Sequence, residues 1–289
     1  MQVSGFSFIR NGTLLGYPYL ESLRSLLPLC DEVIVAVGQG QDDTLTRLQT
    51  LGEPKLKLIE TTWNESMQDR GYVYAQQKMI AQFNCQGDWA FYLEGDEVLH
   101  EQDLATLQAT LQQYVDNPKV EALVFDYFHF YGSPDMMATS PGWYRRAPRV
   151  IRNHLRNYSP DGLFFVIMDK NKQGRYPNAA LANIPIYHYG HVRSVAKMQS
   201  KIQQVSQYWG HTPPTFSSYG NIDPHALSPF TGTHPAVMQS WLAQQAEPHL
   251  ILNPHYQITP RERRHRWMMR LEQLFGWELS KKHYRLIKA

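Results

Sequence analysis

The stretch that decides the fold is Gly87-Asp88-Trp89-Ala90-Phe91-Tyr92-Leu93-Glu94-Gly95-Asp96-Glu97. Its apolar part, Trp89 to Leu93, runs without a break into three carboxylates, and Gly95 between them permits close approach to the backbone. A short apolar run bounded by turn residues reads as a strand buried on both faces, the kind found in parallel sheets. Ligands of such sheets bind beyond the carboxyl ends of the strands, where Glu94, Asp96 and Glu97 stand. Carboxylates crowded together repel one another unless a cation lies between them, and magnesium is commonly held by one or two carboxylates plus substrate phosphates. A polar turn in which Asp96 or Glu97 caps the next helix accounts for the same residues, so the segment alone leaves both readings open.

Working outward, strands are expected at 3–9, 32–37, 56–61, 89–93 and 121–130, and helices at 19–29, 44–51, 74–83 and 101–114. Strands separated by helices of this length mean crossover units and a mostly parallel, doubly wound α/β sheet. Beyond Tyr131 the pattern loosens. Short strands are expected at 149–152 and 163–168, an amphipathic helix at 193–209, a flexible loop or lid at 211–235, and two helices in the rest.

At 289 residues, 43% hydrophobic and 19% charged, the chain is neither disordered nor fibrous and is long enough for a large core. Its two cysteines, Cys30 and Cys85, are too few for a disulfide scaffold and are not spaced for a zinc site, so both read as reduced thiols. No apolar run approaches the ~18 residues of a membrane span, and the start of the chain does not read as a signal peptide, which makes a cytoplasmic location the expectation. The formal charge of +2 is unevenly spread: from Pro260 onward nine Lys or Arg face three Glu, leaving the remainder at −4. The stripe Trp267, Met268, Leu271, Leu274 and Phe275, with five arginines around it, would suit an anionic membrane surface. It would equally suit docking on the body with the arginines solvated.

The order of strand, Asn11, helix, Asp31-Glu32-Val33-Ile34-Val35, a Gly-rich turn with Asp42 and Thr44, then Asp88-Trp89 and Glu94-Gly95-Asp96-Glu97 resembles glycosyltransferase family 2. The likeness is to its lipopolysaccharide-core and O-antigen type and covers roughly the first 130 residues well. It implies a GT-A fold, with residues 1–130 as a nucleotide-sugar half, 131–210 as an acceptor half and 236–289 as a C-terminal helical extension. It also implies Mn or Mg held by Glu94 and Asp96 against the diphosphate of a nucleotide sugar. Two positions depart from the family pattern: Val37 stands where an Asp is usual, and Gln77-Lys78 where an Asn is frequent. Arg10, Asn11, Asp42, Lys78, Glu94 and Arg193 are the expected donor-side residues.

In the same family a later His often completes the metal site, and Ile186-Tyr187-His188-Tyr189-Gly190-His191-Val192-Arg193 offers His188 and His191 for it, with Arg193 for the diphosphate. Inverting transfer needs a base for the acceptor hydroxyl. Asp161 in Tyr158-Ser159-Pro160-Asp161-Gly162 is the first candidate and Asp126 its rival, although a Pro-Asp-Gly turn explains Asp161 by backbone geometry alone. Among the aromatics from Tyr127 onward, Trp143 and Tyr144 are the candidates for stacking on an acceptor sugar.

The function expected is therefore metal-dependent transfer of one sugar from a nucleotide-sugar donor to a surface glycan or lipid-linked acceptor in the cytoplasm, with attachment to the inner face of the membrane only under the first reading of the tail. A nucleotidyltransferase would want a Gly-rich basic loop after the first strand, where Phe8-Ile9-Arg10-Asn11-Gly12-Thr13 has one glycine and one cation. A non-catalytic nucleic-acid-binding protein would use the basic tail, but the acidic body and the lack of a binding motif speak against nucleic acid as a partner.

Overall fold

The computed structural model describes residues 1–245 and 250–287. Strands and helices alternate through the first half: β1 (Val3–Ile9), α1 (Tyr19–Leu26), β2 (Glu32–Gly38), α2 (Thr44–Thr50), β3 (Leu56–Thr61), α3 (Tyr72–Phe83) and β4 (Trp89–Tyr92). A two-residue strand β5 (Glu97–Val98), then α4 (Leu104–Tyr114), β6 (Ala122–Tyr131), β7 (Met136–Ala138) and β8 (Arg146–Arg152) follow. The second half holds β9 (Asn157–Tyr158), β10 (Val166–Met168), β11 (Gly174–Arg175), β12 (Asn178–His191), α5 (Val195–Tyr208), β13 (Leu227–Pro229), α6 (Gln239–Ala243), α7 (Pro260–Phe275) and β14 (Arg285–Leu286).

Eleven of the described strands form one sheet whose main path runs β13-β7-β6-β8-β4-β1-β2-β3. The β4-β1-β2-β3 part is parallel, as the strand and helix alternation predicts. β1, β2 and β4 are rich in β-branched and aromatic residues and are buried almost throughout, because helices cover both faces of the sheet. The apolar faces of α1 and α4 complete one core layer through Leu23, Leu26, Leu107 and Leu111. With β1, β2 and β4 parallel, their carboxyl ends emerge on one edge and deliver Arg10, Asn11 and Glu94 to it.

The second half departs from expectation in three places. β8 enters antiparallel between β4 and β6. The 14-residue strand β12, largely unforeseen, pairs parallel with β6 and antiparallel with β5. Finally, the region expected to be a loop or lid supplies β13, an edge strand on β7, and the helical extension ends in β14, which rejoins β12 at Asn178 and Ala179.

α7 begins at a capping box between Thr259 and Glu262, with Pro260 in the first turn, and stops at Gly276, whose φ of 65° is the left-handed conformation that ends helices. None of the helices described is long and apolar enough to cross a membrane.

β5 is tied to β8 by one ion pair away from solvent. Arg149 donates from Nε to Glu97 Oε2 at 2.9 Å and from Nη2 to Glu97 Oε1 at 2.6 Å, and both side chains are at most 2% exposed. Removing one partner of such a pair leaves a buried charge without its counterpart. Arg149→Met is therefore expected to destabilise the protein by about 3–5 kcal/mol in urea unfolding, and an unchanged midpoint would mean that Glu97 finds another partner.

Candidate active site

A cavity of about 780 Å³ opens at the carboxyl edge of β1 and β4. Arg10 and Asn11 from the end of β1, Glu94 and Asp96 after β4, Asp161 from a turn, His188 and His191 from β12, and Lys201 from α5 all line it. Of the thirteen site residues expected from sequence, nine line this cavity, and Asp42, Lys78, Asp126 and Arg193 do not.

The three carboxylates of the 94–97 segment have three different environments. Glu97 is a structural anion: besides Arg149 it accepts from Tyr127 Oη at 2.7 Å and from the Glu94 N–H at 3.0 Å. It does not cap a helix; His100 caps the turn that follows. Glu94 accepts from Arg149 Nη2 at 2.9 Å and keeps 24% of its side chain open. Burial, then the nearby Glu97 charge, raises its carboxyl above the usual range, outweighing Arg149. Burial raises the Asp96 carboxyl, but the charges of Lys201 and Arg193 outweigh that cost and hold it well below that range.

Strand register builds the surroundings of Asp96. His188 lies opposite Glu97 across the β5-β12 pair and opposite His129 across β6-β12, and the Tyr189 N–H bonds the Asp96 carbonyl at 2.8 Å. His129 Nε2 stands 2.6 Å from the Tyr144 carbonyl, which can only accept, so that nitrogen carries the proton. Burial lowers the His129 pKa to about 3, so the ring is neutral and its Nδ1 accepts from His188 Nδ1 at 2.8 Å. His188, lowered to about 4 chiefly by burial, is neutral as well. Its Nε2 then presents a lone pair toward Asp96 Oδ1 across 3.6 Å.

Two acceptors facing each other with no proton between them make a gap suited to a cation. Gly190 keeps it clear: a Cβ there would lie 2.5 Å from His188 Nε2 and 3.0 Å from Asp96 Oδ2. Among the described residues no group of three or more His, Cys, Asp or Glu is arranged as a metal site. Asp96 and His188 are the two protein ligands that could hold a divalent ion in this gap, and such an ion would draw the rest of its shell from water or from substrate oxygens. The other two expected ligands turn elsewhere. Glu94 is engaged by Arg149, and the His191 ring is stacked on Tyr131 with Trp143 edge-on, its buried Nδ1 without a hydrogen-bond partner.

Asp96 Oδ2 is served by Lys201 Nζ at 3.0 Å, which also donates to the Gly190 carbonyl at 3.2 Å. Arg193, expected at the diphosphate, does not line the cavity. It is fully buried behind Asp96, 3.6 Å from Oδ2, and donates to the Leu15 carbonyl. The cation that lines the cavity on this wall is Lys201, from the helix that follows the His pair.

Other expectations are corrected by position. Strand alternation turns Tyr127 toward Glu97 and its neighbour Asp126 to the opposite face, where Asp126 pairs with Arg146 at 2.7 Å outside the cavity. Asp42 is a turn residue, accepting from the Leu14 and Thr44 N–H groups beside a smaller cavity of about 440 Å³. Asn11, with φ at 54°, accepts from the Gln41 N–H and shapes the turn after β1 while its side chain reaches Gln204. Asp161, Trp143 and Tyr144 do line the cavity. Burial raises the Asp161 pKa, and its Oδ1 accepts from the Leu163 N–H at 3.0 Å.

Trp63, Tyr74 and Tyr208, which also line the cavity, pack edge to face with centroids 5.3 to 5.6 Å apart. Arg10 lies 5.1 Å over Trp63 and pairs with Glu65 at 2.6 Å. No motif in the sequence marks this cluster, because its members come from three separate segments.

Lys78 is the remaining correction: it does not line the cavity but lies buried against Tyr92, which does. Its Nζ is buried without a hydrogen-bond partner, 4.0 Å from the Tyr92 ring centre and 3.9 Å from that of Phe165. Burial, then the Arg149 charge, pushes its pKa well below the usual value. The unfolded chain therefore binds more protons at this residue, so its contribution makes stability rise with pH below the normal lysine range near ~10.4. Lys78→Met is expected to raise stability near neutral pH by about 1 kcal/mol or more and to flatten that rise; a loss of stability would show that the ammonium is satisfied.

No protein-family model matches the sequence, and no curated protein matches it. Among solved structures, S. aureus TarS 1-349 is similar over 53% of this chain and 47% of that chain, at 18% identity and a TM-score of 0.38. Its complex with UDP gives 18% identity and a TM-score of 0.37 over the same shares. Its complex with UDP-GlcNAc gives 18% identity and a TM-score of 0.33 over 45% of this chain and 35% of that one. The chain thus spans less than half the length of these structures. A likeness this partial assigns no residue a role, so function rests on the chemistry of the site.

Proposed function

We propose that the chain transfers a glycosyl group from a nucleoside-diphosphate sugar to a hydroxyl of a glycan acceptor. The observation that carries this reading is the Asp96-His188 gap, kept open by Gly190 beside Lys201 on the wall of a cavity large enough for a nucleotide sugar. The resemblance of the first 130 residues to family 2 supports it independently. The aromatic wall of Trp63, Tyr74 and Tyr208 offers ring edges and faces to a nucleobase.

A divalent ion held by Asp96 and His188, Mn or Mg, would neutralise diphosphate charge as the donor bond breaks. The chain's own residues do the rest. Lys201, with its ammonium at the cavity wall, counters the charge of the departing diphosphate. Asp161 takes the proton of the acceptor hydroxyl as its oxygen bonds to the anomeric carbon, and the bond from that carbon to the diphosphate oxygen breaks with its electron pair. Burial suits Asp161 to this role, since a carboxylate with a raised pKa is a stronger base. Attack from the face opposite the diphosphate gives inversion. Trp143 and Tyr144 form the wall for the acceptor ring.

Asp161→Asn is expected to lower kcat by ~10²-fold or more while leaving donor affinity nearly constant. Donor affinity is read by thermal shift with nucleoside diphosphates and their sugars, with and without Mn. A normal rate in this variant would take the base away from Asp161; failure of every nucleoside diphosphate to bind would remove the reaction itself.

A further inference from the structure

α7 is an amphipathic helix that docks by its polar side. Arg266 makes two hydrogen bonds to Asp223 at 2.6 and 2.7 Å, Glu272 accepts from Arg145 at 2.7 Å, and Glu262 accepts from the Asp223 N–H at 3.0 Å. The large apolar residues point away from the body: Trp267 is 63% exposed, Leu274 75% and Phe275 58%, and Trp277 just past the helix is 55% exposed. A surface helix ordinarily buries this stripe. At 3.6 residues per turn, the exposed Arg263, Arg264 and Arg270 fall on the same outward face as Trp267, Leu271 and Leu274. Glu262 and Glu272 are tied to the body, so the outward face of the helix is cationic and apolar together.

We infer that this face lies in the headgroup layer of an anionic lipid bilayer. Lipid phosphates answer the arginines while the glycerol and acyl boundary takes up the tryptophans and leucines, two complements that one surface rarely offers otherwise. Exposed apolar side chains gathered in one patch mark an interaction site. A second copy of the chain fits poorly, because a two-fold contact through this face brings the same arginines against each other. The inner face of α7 rests on the segment that supplies the acceptor wall. A Cβ at Gly142 would come within 2.7 Å of the His265 ring, and Arg145 anchors Glu272. A bilayer under α7 therefore lies one helix behind Trp143 and Tyr144, which places acceptors embedded in lipid near the cavity. The inference concerns adsorption alone and goes beyond the transfer reaction.

Full-length protein sedimented with vesicles of phosphatidylglycerol and phosphatidylcholine tests it, with phosphatidylcholine alone as the comparison. The expected result is pelleting with the anionic vesicles only, weakening as salt rises, because exposed charges are screened beyond roughly 8 Å at physiological ionic strength. Replacing Arg263, Arg264 and Arg270 together by Gln is expected to lower partitioning by roughly 100-fold. The double variant Trp267→Ser, Leu274→Ser is expected to lower it by about tenfold or more. Both variants change exposed side chains and should unfold at the parent's temperature. Absence of pelleting at low salt, equal pelleting with neutral vesicles, or pelleting that either variant leaves unchanged would overturn the inference. So would a dimer in sedimentation velocity that the Trp267 and Leu274 changes dissociate while vesicles are ignored.

Discussion

The buried pair of Glu97 and Arg149 is the constraint on which the site depends. A carboxylate with no exposure is tolerable only when every oxygen is paired, and Glu97 achieves this with two guanidinium bonds, a tyrosine hydroxyl and a backbone N–H. Those partners come from β8, β6 and the turn after β4, so one anion joins three parts of the sheet. Because Glu97 lies in β5 and β5 pairs with β12, fixing Glu97 also fixes His188 beside Asp96. The edge that holds the candidate site is built from this pairing outward rather than from any one loop.

The same arrangement separates the chemistry of neighbouring acids. Glu94 and Asp96 are two residues apart, yet one is raised and the other lowered. Glu94 is raised by burial and by the charge of Glu97, with which it shares a guanidinium, whereas Asp96 is flanked by the cations Lys201 and Arg193. Environments that push like groups apart are how one site holds distinct acid and base roles. Asp96 is thus a fixed anion, its carboxylate turned to the His188 gap and to Lys201. His129 matters without lining up in any motif. By accepting from His188 Nδ1 it leaves Nε2 unprotonated, the outer-shell arrangement usual for imidazoles that bind metal.

The parallel half of the sheet was legible because its signals are local. The 3–9 and 56–61 segments coincide with β1 and β3, and the apolar run into Glu94 marks β4 and the site edge. β12 escaped because its alternation is interrupted: Asn183 takes a φ of 55°, Pro185 follows, and the register against β6 shifts between Leu181 and Pro185. That Asp161 and His188 reach the cavity could be anticipated from sequence. The roles of Asp126, Arg193 and Lys78 could not, since strand parity, depth and packing direction decide them. Lys201 and the Trp63 cluster depend on contacts across more than a hundred residues. The reversed docking of α7 lay beyond periodicity too. A helical stripe says which residues share a face, and only Asp223, Arg145 and their bonds say which face turns inward.

A crystal structure with a nucleoside diphosphate and Mn, recorded at the manganese absorption edge, tests the central claim most directly. One anomalous peak is expected between Asp96 Oδ1 and His188 Nε2, with the diphosphate completing the shell within reach of Lys201. A diphosphate bound in the smaller cavity beside Asp42, or an ion held without Asp96 and His188, would contradict it.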